Sequence, residues 1–306
     1  TAGGGSTATG AGSTTAGTGS EVTVAAVLSD PSDQRKLVIA DTRLVPRMAA
    51  LDPCLMTGLP PAITAATGMD ALTHAVEAYI GQWGTPFTRR MSQAAVSLIY
   101  RHLPTAFEHG QDLAAREQMA LAASYAGLAF TRANVGNVHA LAHQLGARYH
   151  TPHGLANALL LAPVLRFCAG DAQAPLAQLA QHAGVAAADD PPAEAASKFI
   201  DSVLALNARL GIPTQLDTLR AADIPALAAA ACAEANANYP VPRVMRQADA
   251  EALLRALLPT QTAAAAARRP PRKVVAKSAV KTAGKTAAKQ SASPPAPKRR
   301  RAKAAA

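Results

Sequence analysis

The sequence predicts a mainly α-helical protein in which a large all-helical domain follows a short stretch of strands. Three observations support this prediction. Alanine supplies much of an apolar content of 49%, while aromatic residues make up only 4%, and alanine is the best helix former. After residue 60, apolar side chains recur with a spacing near 3.6, the helical period. Runs of strand-forming residues occur only before residue 52.

The N-terminal part of the sequence predicts three short strands behind a segment of small residues. Residues 1–20 are almost wholly Gly, Ala, Ser and Thr. The strands are expected at 21–29, 35–40 and 47–51, because these runs are separated by residues typical of turns.

From residue 59 onward the pattern predicts helices throughout. The Leu-Pro-Pro run at 59–61 opens the first helix, since proline is tolerated in the first turn. Gly110, Gly211 and Pro213 mark breaks between helices. We expect helices at 61–80, 87–108, 111–131, 134–148, 153–168, 172–184, 192–210, 223–237 and 247–258.

Five polar side chains in otherwise apolar helices predict a metal site. Asp70 and His74 are four residues apart, as are His139 and His143, so each pair projects from one helix face. His153 follows shortly after, in front of a glycine. Neutral imidazoles with one carboxylate are ligands that Fe²⁺ or Zn²⁺ prefers. A lone buried histidine is usually a hydrogen-bonded core residue, but four of the eight histidines fall in this set, which favours a metal site.

The basic residues concentrate at the C-terminus. The formal net charge is +10, and thirteen Lys or Arg with no acid lie between Arg268 and Lys303; subtracting these thirteen leaves the rest of the chain at about −3. Residues 261–306 are predicted to be a disordered basic tail, because they lack large apolar side chains. Lysines recur at every fourth position from Lys273 to Lys289. The tail is therefore either a solvated extension or an arm that contacts nucleic acid non-specifically through phosphates.

The cysteines and the hydropathy pattern bear on the compartment. Cys54, Cys168 and Cys232 are odd in number and far apart, which argues against a disulfide framework or a zinc knuckle. This favours a reducing compartment. The sequence has no apolar run of membrane-spanning length and no leader-like start. We therefore expect a cytoplasmic protein without a membrane partner.

Four segments resemble the iron-containing (group III) alcohol dehydrogenases. They are GTGSEVT at 17–23, GMDALTHAVEAY at 68–79, NVHALAHQLGARYHTPHGLANALLL at 137–161 and YPVPRVM at 239–245. In that family a cleft separates an N-terminal dinucleotide-binding domain from an all-helical domain that holds the metal. The resemblance therefore implies three regions: a remnant of the dinucleotide-binding domain at 1–58, a helical metal-binding catalytic domain at 59–260 and the tail at 261–306.

The resemblance also implies an activity and the roles of five residues. Asp70, His74, His139 and His153 correspond to the four metal ligands, and His143 to the histidine that relays a proton between substrate and solvent. The implied activity is hydride transfer between a short alcohol or aldehyde and NAD or NADP, with Fe²⁺ or alternatively Zn²⁺ as the metal. The resemblance leaves a homodimer open as the oligomeric state.

Cofactor contacts are implied near the N-terminus. A glycine-rich turn resembles the family's GGGS turn against the cofactor pyrophosphate, where glycine lets backbone N–H groups approach phosphate closely. The implied contact residues are Gly4, Gly5, Ser6, Thr14, Thr15, Thr18 and Lys36. Because the sequence begins at this turn, we expect a truncated nucleotide domain, and the resemblance leaves open whether the isolated chain is active. The alternative function is a non-enzymatic remnant whose basic tail binds nucleic acid.

Glu77, in the first predicted helix, and Trp83, in the loop after it, have two interpretations each. Glu77 follows His74 by three positions and could orient a metal ligand, although a solvated carboxylate on the helix face is the favoured interpretation. Trp83 fits either the mouth of a substrate site or ordinary packing.

Overall fold

Nine α-helices dominate the part of the chain that the computed structural model describes, which is residues 11–30 and 35–259. They confirm the mainly helical fold class. Their bounds are α1 Pro61–Ile80, α2 Pro86–Glu108, α3 Leu113–Ala133, α4 Asn137–Tyr149, α5 His153–Cys168, α6 Gln173–His182, α7 Pro192–Arg209, α8 Ile224–Asn238 and α9 Gln247–Arg255.

Helix α1 is the central element of the helical bundle. Every residue from Gly68 to Ile80 is buried, and a helix that is buried on all sides belongs in the interior of a domain. It packs against α2, α3 and α5, and α4 in turn packs against α5 and α8. The polar residues Asp70, His74 and Glu77 are therefore carried into the core by a helix that is otherwise apolar.

The strands form two small two-stranded sheets. β2 (Ala25–Asp30) pairs antiparallel with β3 (Arg35–Ala40), with Ala25 opposite Ala40. β1 (Ala11–Gly12) pairs parallel with β4 (Ala49–Ala50). The strand predicted at 35–40 matches β3, whereas the one predicted at 47–51 is reduced to the two residues of β4.

The prediction of a strand from residue 21 is wrong at its start. Ser20–Val22 is a 3-10 turn, and Gly19 before it has a left-handed φ of 59°. A Cβ on Gly19 would lie 2.8 Å from Cα of Gly127 on α3, so the backbone approaches that helix too closely for a side chain. Glu21 is buried and accepts a hydrogen bond from Ser124 Oγ. These contacts with α3 override the local strand pattern.

The predicted helix ends differ from the observed ones where side chains bond the backbone. α3 begins at Leu113 rather than 111, because the Asp112 side chain accepts a hydrogen bond from the Ala115 N–H and caps the helix. α4 begins at Asn137 rather than 134, and Asn134 before it has a φ of 63°. None of the helices in the described ranges is long and apolar enough to cross a membrane.

Gly154→Ala should destabilise the fold, because α5 approaches α1 closely at this residue. A Cβ here would lie 2.2 Å from the backbone oxygen of Ala66. Backbone must shift to relieve that contact, so we expect a loss of about 1–3 kcal/mol in the free energy of unfolding, measured by chemical denaturation. Gly170→Ala is the matched control, since nothing lies within 4 Å of its added Cβ. Equal stability of the two variants would contradict the packing described.

Candidate metal centre

The structure brings Asp70, His74, His139 and His153 together. Asp70 and His74 lie on successive turns of α1, His139 lies on α4, and His153 is the first residue of α5. One possible ligand atom from each residue lies within 4.8 Å of all the others. Asp70, His74 and His139 are buried, while the His153 side chain is 29% exposed. The cluster is therefore buried except at His153, its most exposed member.

The distances within the cluster match those that a metal ion requires. Asp70 Oδ1 lies 3.4 Å from His153 Nε2, 3.8 Å from His139 Nε2 and 4.0 Å from His74 Nδ1. Metal–ligand bonds of about 2.1 Å in a tetrahedral site separate neighbouring ligand atoms by about 3.4 Å. The observed distances from Asp70 Oδ1 run from this value to 4.0 Å, so a contraction of the wider pairs would complete the coordination.

The chemistry of the donor set also fits a divalent cation. His74 Nδ1 is buried and has no hydrogen-bond partner, and an unsatisfied buried acceptor costs about 1–3 kcal/mol. Burial lowers the pKa of the His74 imidazole, so the ring is neutral near pH 7, as a metal ligand must be. Three imidazoles and one carboxylate suit Fe²⁺ or Zn²⁺ better than the hard ions Mg²⁺ or Ca²⁺.

Asn157 holds the cluster together from α5. It lies one helical turn after His153 and is fully buried. Its Nδ2 donates to Asp70 Oδ1 at 2.6 Å and lies 3.3 Å from His139 Nε2 and 3.2 Å from His153 Nε2. The Asn157 amide group is thus surrounded by three acceptor atoms, one oxygen and two imidazole nitrogens. Several acceptors that converge on one point are what a cation position requires.

Glu77 is a buried carboxylate that orients His139, so the favoured interpretation of a solvated helix-face residue is wrong. Its Oε2 accepts from His139 Nδ1 at 2.6 Å and from the Gly136 N–H at 2.8 Å, and its Oε1 accepts from the Val138 N–H at 2.7 Å. With Nδ1 protonated, His139 Nε2 keeps its lone pair toward the cluster. Glu77 also satisfies N–H groups at the start of α4 that have no partner within the helix.

Burial dominates the electrostatics of Glu77. It raises the pKa of the carboxyl to about 7, while hydrogen bonds from the backbone N–H groups of Val138, Gly136 and His139 act in the opposite direction. The backbone donors and the imidazole N–H therefore stabilise a charge that the apolar surroundings disfavour.

His143 lies beside the four-residue cluster. Its ring stacks on His153 with centroids 5.4 Å apart and stands edge-on to His139 at 6.0 Å. Its Nδ1 lies 2.5 Å from Oε1 of Glu234 on α8. Elsewhere in the cluster, Phe130 stacks on His74 at 4.2 Å. The rings of the cluster are therefore held in place by neighbouring rings.

The predicted cofactor contacts are only partly within the described ranges. Gly4, Gly5 and Ser6 lie outside them, and so does the side chain of Lys36, whose backbone is part of β3. Thr14 and Thr18 are exposed and Thr15 is half-buried. These assignments stay predictions.

The segment that carries the threonines does contact the helices around the cluster. A Cβ on Gly17 would lie 2.8 Å from Thr67 Cβ on α1, and Thr67 lies three residues before Asp70. The hydroxyl-rich segment and the candidate metal site are thus neighbours.

The chain matches a known family over most of the described residues. Residues 64–258 match the family model described as Fe-containing alcohol dehydrogenase family, C-terminal, and residues 5–53 match the model described as iron-containing alcohol dehydrogenase. The chain is 43% identical over 223 residues to the 1-propanol dehydrogenase PduQ of Salmonella typhimurium, which covers 70% of this chain and 60% of that protein.

Solved structures share the fold. A 1,3-propanediol oxidoreductase is 42% identical with a TM-score of 0.77, and the match covers 80% of this chain and 65% of that one. A sulfoacetaldehyde reductase from Bifidobacterium kashiwanohense, solved in complex with NAD⁺, is 31% identical with a TM-score of 0.72, covering 82% of this chain and 65% of that one. The chain thus spans about three fifths of the length of the curated relative it matches.

Proposed function

This chain belongs to the iron-containing alcohol dehydrogenase family, and from that premise we propose that it is a metal-dependent alcohol dehydrogenase acting with NAD or NADP. The observation that carries the proposal is the convergence of one carboxylate and three imidazoles, with ligand atoms within 4.8 Å of one another and His153 as the most exposed of the four side chains. Such a site can hold a divalent ion and still admit a small oxygen ligand from one side.

Asp70, His74, His139 and His153 would hold the ion, which we propose is Fe²⁺, with Zn²⁺ as the alternative. A bound ion would supply a Lewis acid that lowers the pKa of an alcohol, and a bound NAD or NADP would supply the hydride acceptor. Glu77 keeps His139 in the tautomer that a ligand needs, and Asn157 holds the Asp70 carboxylate. His143 takes the alcohol proton at Nε2 and passes it toward solvent.

The proposed substrates are short primary alcohols or diols and the matching aldehydes. The relatives named 1-propanol dehydrogenase and 1,3-propanediol oxidoreductase support this class, and the relative bound to NAD⁺ supports a nicotinamide cofactor. Thr14, Thr15 and Thr18 would contact that cofactor, since their segment packs on α1 at Thr67 through Gly17.

The remaining proposals rest on the sequence. We propose the division at 1–58, 59–260 and 261–306, a cytoplasmic location and a homodimer. The basic tail lies outside the described residues, and its contact with nucleic acid stays a prediction.

Alcohol oxidation by the full chain tests the proposed function. The chain is purified without oxygen, loaded with Fe²⁺, and mixed with NAD⁺ or NADP⁺ and either 1-propanol or 1,3-propanediol. We expect alcohol-dependent formation of NADH or NADPH that stops when a chelator removes the ion and returns when Fe²⁺ is restored. A chain that carries one ion per molecule but reduces neither cofactor with either alcohol would contradict the proposal.

A further inference from the structure

A second carboxylate–histidine pair lies one helical turn from the first. On α4, His139 points its Nδ1 at Glu77 of α1 and His143 points its Nδ1 at Glu234 of α8. The first pair serves a member of the metal cluster. The second pair contains His143, which neighbours the cluster. Its carboxylate belongs to Glu234, which is far from His143 in the sequence and lies on another helix.

Three donors fix the position of the Glu234 carboxylate. Oε1 accepts from His143 Nδ1 at 2.5 Å and from the Tyr239 hydroxyl at 2.6 Å, and Oε2 accepts from Gln144 Nε2 at 2.8 Å. Burial, together with the charge of Glu234, raises the pKa of Tyr239. The phenol therefore stays protonated and remains a donor, so the carboxylate is held with one lone pair toward the imidazole.

This arrangement selects one tautomer of His143. A neutral imidazole has one N–H and one lone pair, and a carboxylate facing Nδ1 favours the proton on that nitrogen. Nε2 is then the acceptor. The Glu234 side chain is 23% exposed against 11% for His143, so the pair runs from the buried cluster toward solvent.

We propose that Glu234 is the positioning residue of the proton relay: it holds His143 with Nδ1 protonated and Nε2 available to take a proton. This inference rests on the proposed function, in which His143 is the relay. Glu234 acts through His143 and does not touch the metal cluster, so its removal should lower the rate of turnover without removing the ion.

The first test measures the tautomer directly. The full chain is labelled with nitrogen-15 at histidine, and the His143 ring signals are assigned by their loss in His143→Gln. We expect the Nδ1-protonated form in the wild-type chain and a shift to a mixture or to the Nε2-protonated form in Glu234→Ala. The same tautomer in both proteins would overturn the inference. A chain that shows no alcohol-linked turnover would contradict the proposed function alone, because this measurement needs no activity.

The second test is a double-mutant cycle on kcat. Glu234→Ala should lower kcat about 10- to 100-fold while KM for the alcohol changes less than about two-fold, because Glu234 has no role in substrate binding. In a His143→Ala background, the same substitution should change kcat by less than about two-fold. Equal losses with and without His143 would overturn the inference, since they would indicate a general structural role.

Two further variants separate positioning from folding. Glu234→Gln keeps the shape of the side chain and an acceptor for Nδ1–H, so it should recover part of the kcat lost in Glu234→Ala. Asp223→Asn is the matched control: Asp223 lies at the start of α8 and accepts from Tyr149 at 2.6 Å and Arg148 at 3.1 Å on the α4 side, but contacts no histidine of the site. We expect unchanged kcat in this control; a loss equal to that of Glu234→Ala would overturn the inference.

Discussion

Asp70→Asn should remove the bound metal ion and reduce kcat/KM about 1,000-fold or more. A Lewis-acidic ion contributes several kcal/mol to charge stabilisation in the transition state, and each 1.36 kcal/mol corresponds to about a tenfold change in rate. Asparagine keeps the volume of the side chain and can still accept from Asn157 Nδ2, which now bonds Asp70 at 2.6 Å. The variant therefore changes the ligand charge with little change in packing.

The ion content of purified Asp70→Asn, measured by elemental analysis alongside its NAD(P)-linked turnover, checks this prediction. Asp201→Asn is the matched control. Asp201 pairs with Arg166 at 3.1 Å on the surface, and both side chains are more than half exposed, so its loss should change stability by less than about 1 kcal/mol and leave the ion content unchanged. Full ion content and activity in Asp70→Asn would contradict the assignment of Asp70 as a ligand.

Glu77→Gln should weaken metal binding about 10- to 100-fold and destabilise the fold. The Glu77 carboxylate accepts from three donors: His139 Nδ1 and the N–H groups of Gly136 and Val138. A glutamine offers one acceptor oxygen and an amide group that would face a donor. At least one buried N–H is then left unsatisfied, which costs about 1–3 kcal/mol.

Competition with a chromophoric chelator gives the change in metal affinity for Glu77→Gln, and denaturant unfolding gives the change in stability. Glu251→Gln is the matched control, because the Glu251 carboxylate accepts hydrogen bonds from Arg255 and Gln247 of α9, and neither partner belongs to the metal cluster. Metal affinity equal to wild type in Glu77→Gln would show that His139 keeps its orientation without the carboxylate, against the geometry described here.

Local sequence patterns predict the helices well, because helical periodicity and capping are short-range properties. The predicted first helix at 61–80 coincides with α1, and the one at 153–168 coincides with α5. Helical periodicity also places Asp70 next to His74, since the two residues are one turn apart. Their approach to His139 and His153, on other helices, followed from the metal-ligand pattern and the family resemblance rather than from local periodicity.

Long-range contacts account for what the sequence did not predict. The strand expected from residue 21 begins four residues later, because Gly19 and Glu21 pack on α3. Glu21 and its hydrogen-bond donor Ser124 are more than 100 positions apart in the sequence. The sequence favours a surface position for Glu77, because no neighbouring residue in the sequence indicates that α4 covers it. The sequence does contain a signal that Asn157 belongs to the site, because this residue lies four positions after His153 on the same helix face.

Anomalous diffraction at the absorption edge of the bound metal locates the ion relative to its four proposed ligands. Crystals of the full chain, grown with Fe²⁺ or Zn²⁺ under anaerobic conditions, should show one strong anomalous peak per chain between Asp70, His74, His139 and His153, about 2.0–2.2 Å from each ligand atom. A peak that lies elsewhere, or density at these four side chains that holds no ion at saturating metal, would show that they do not form the metal site.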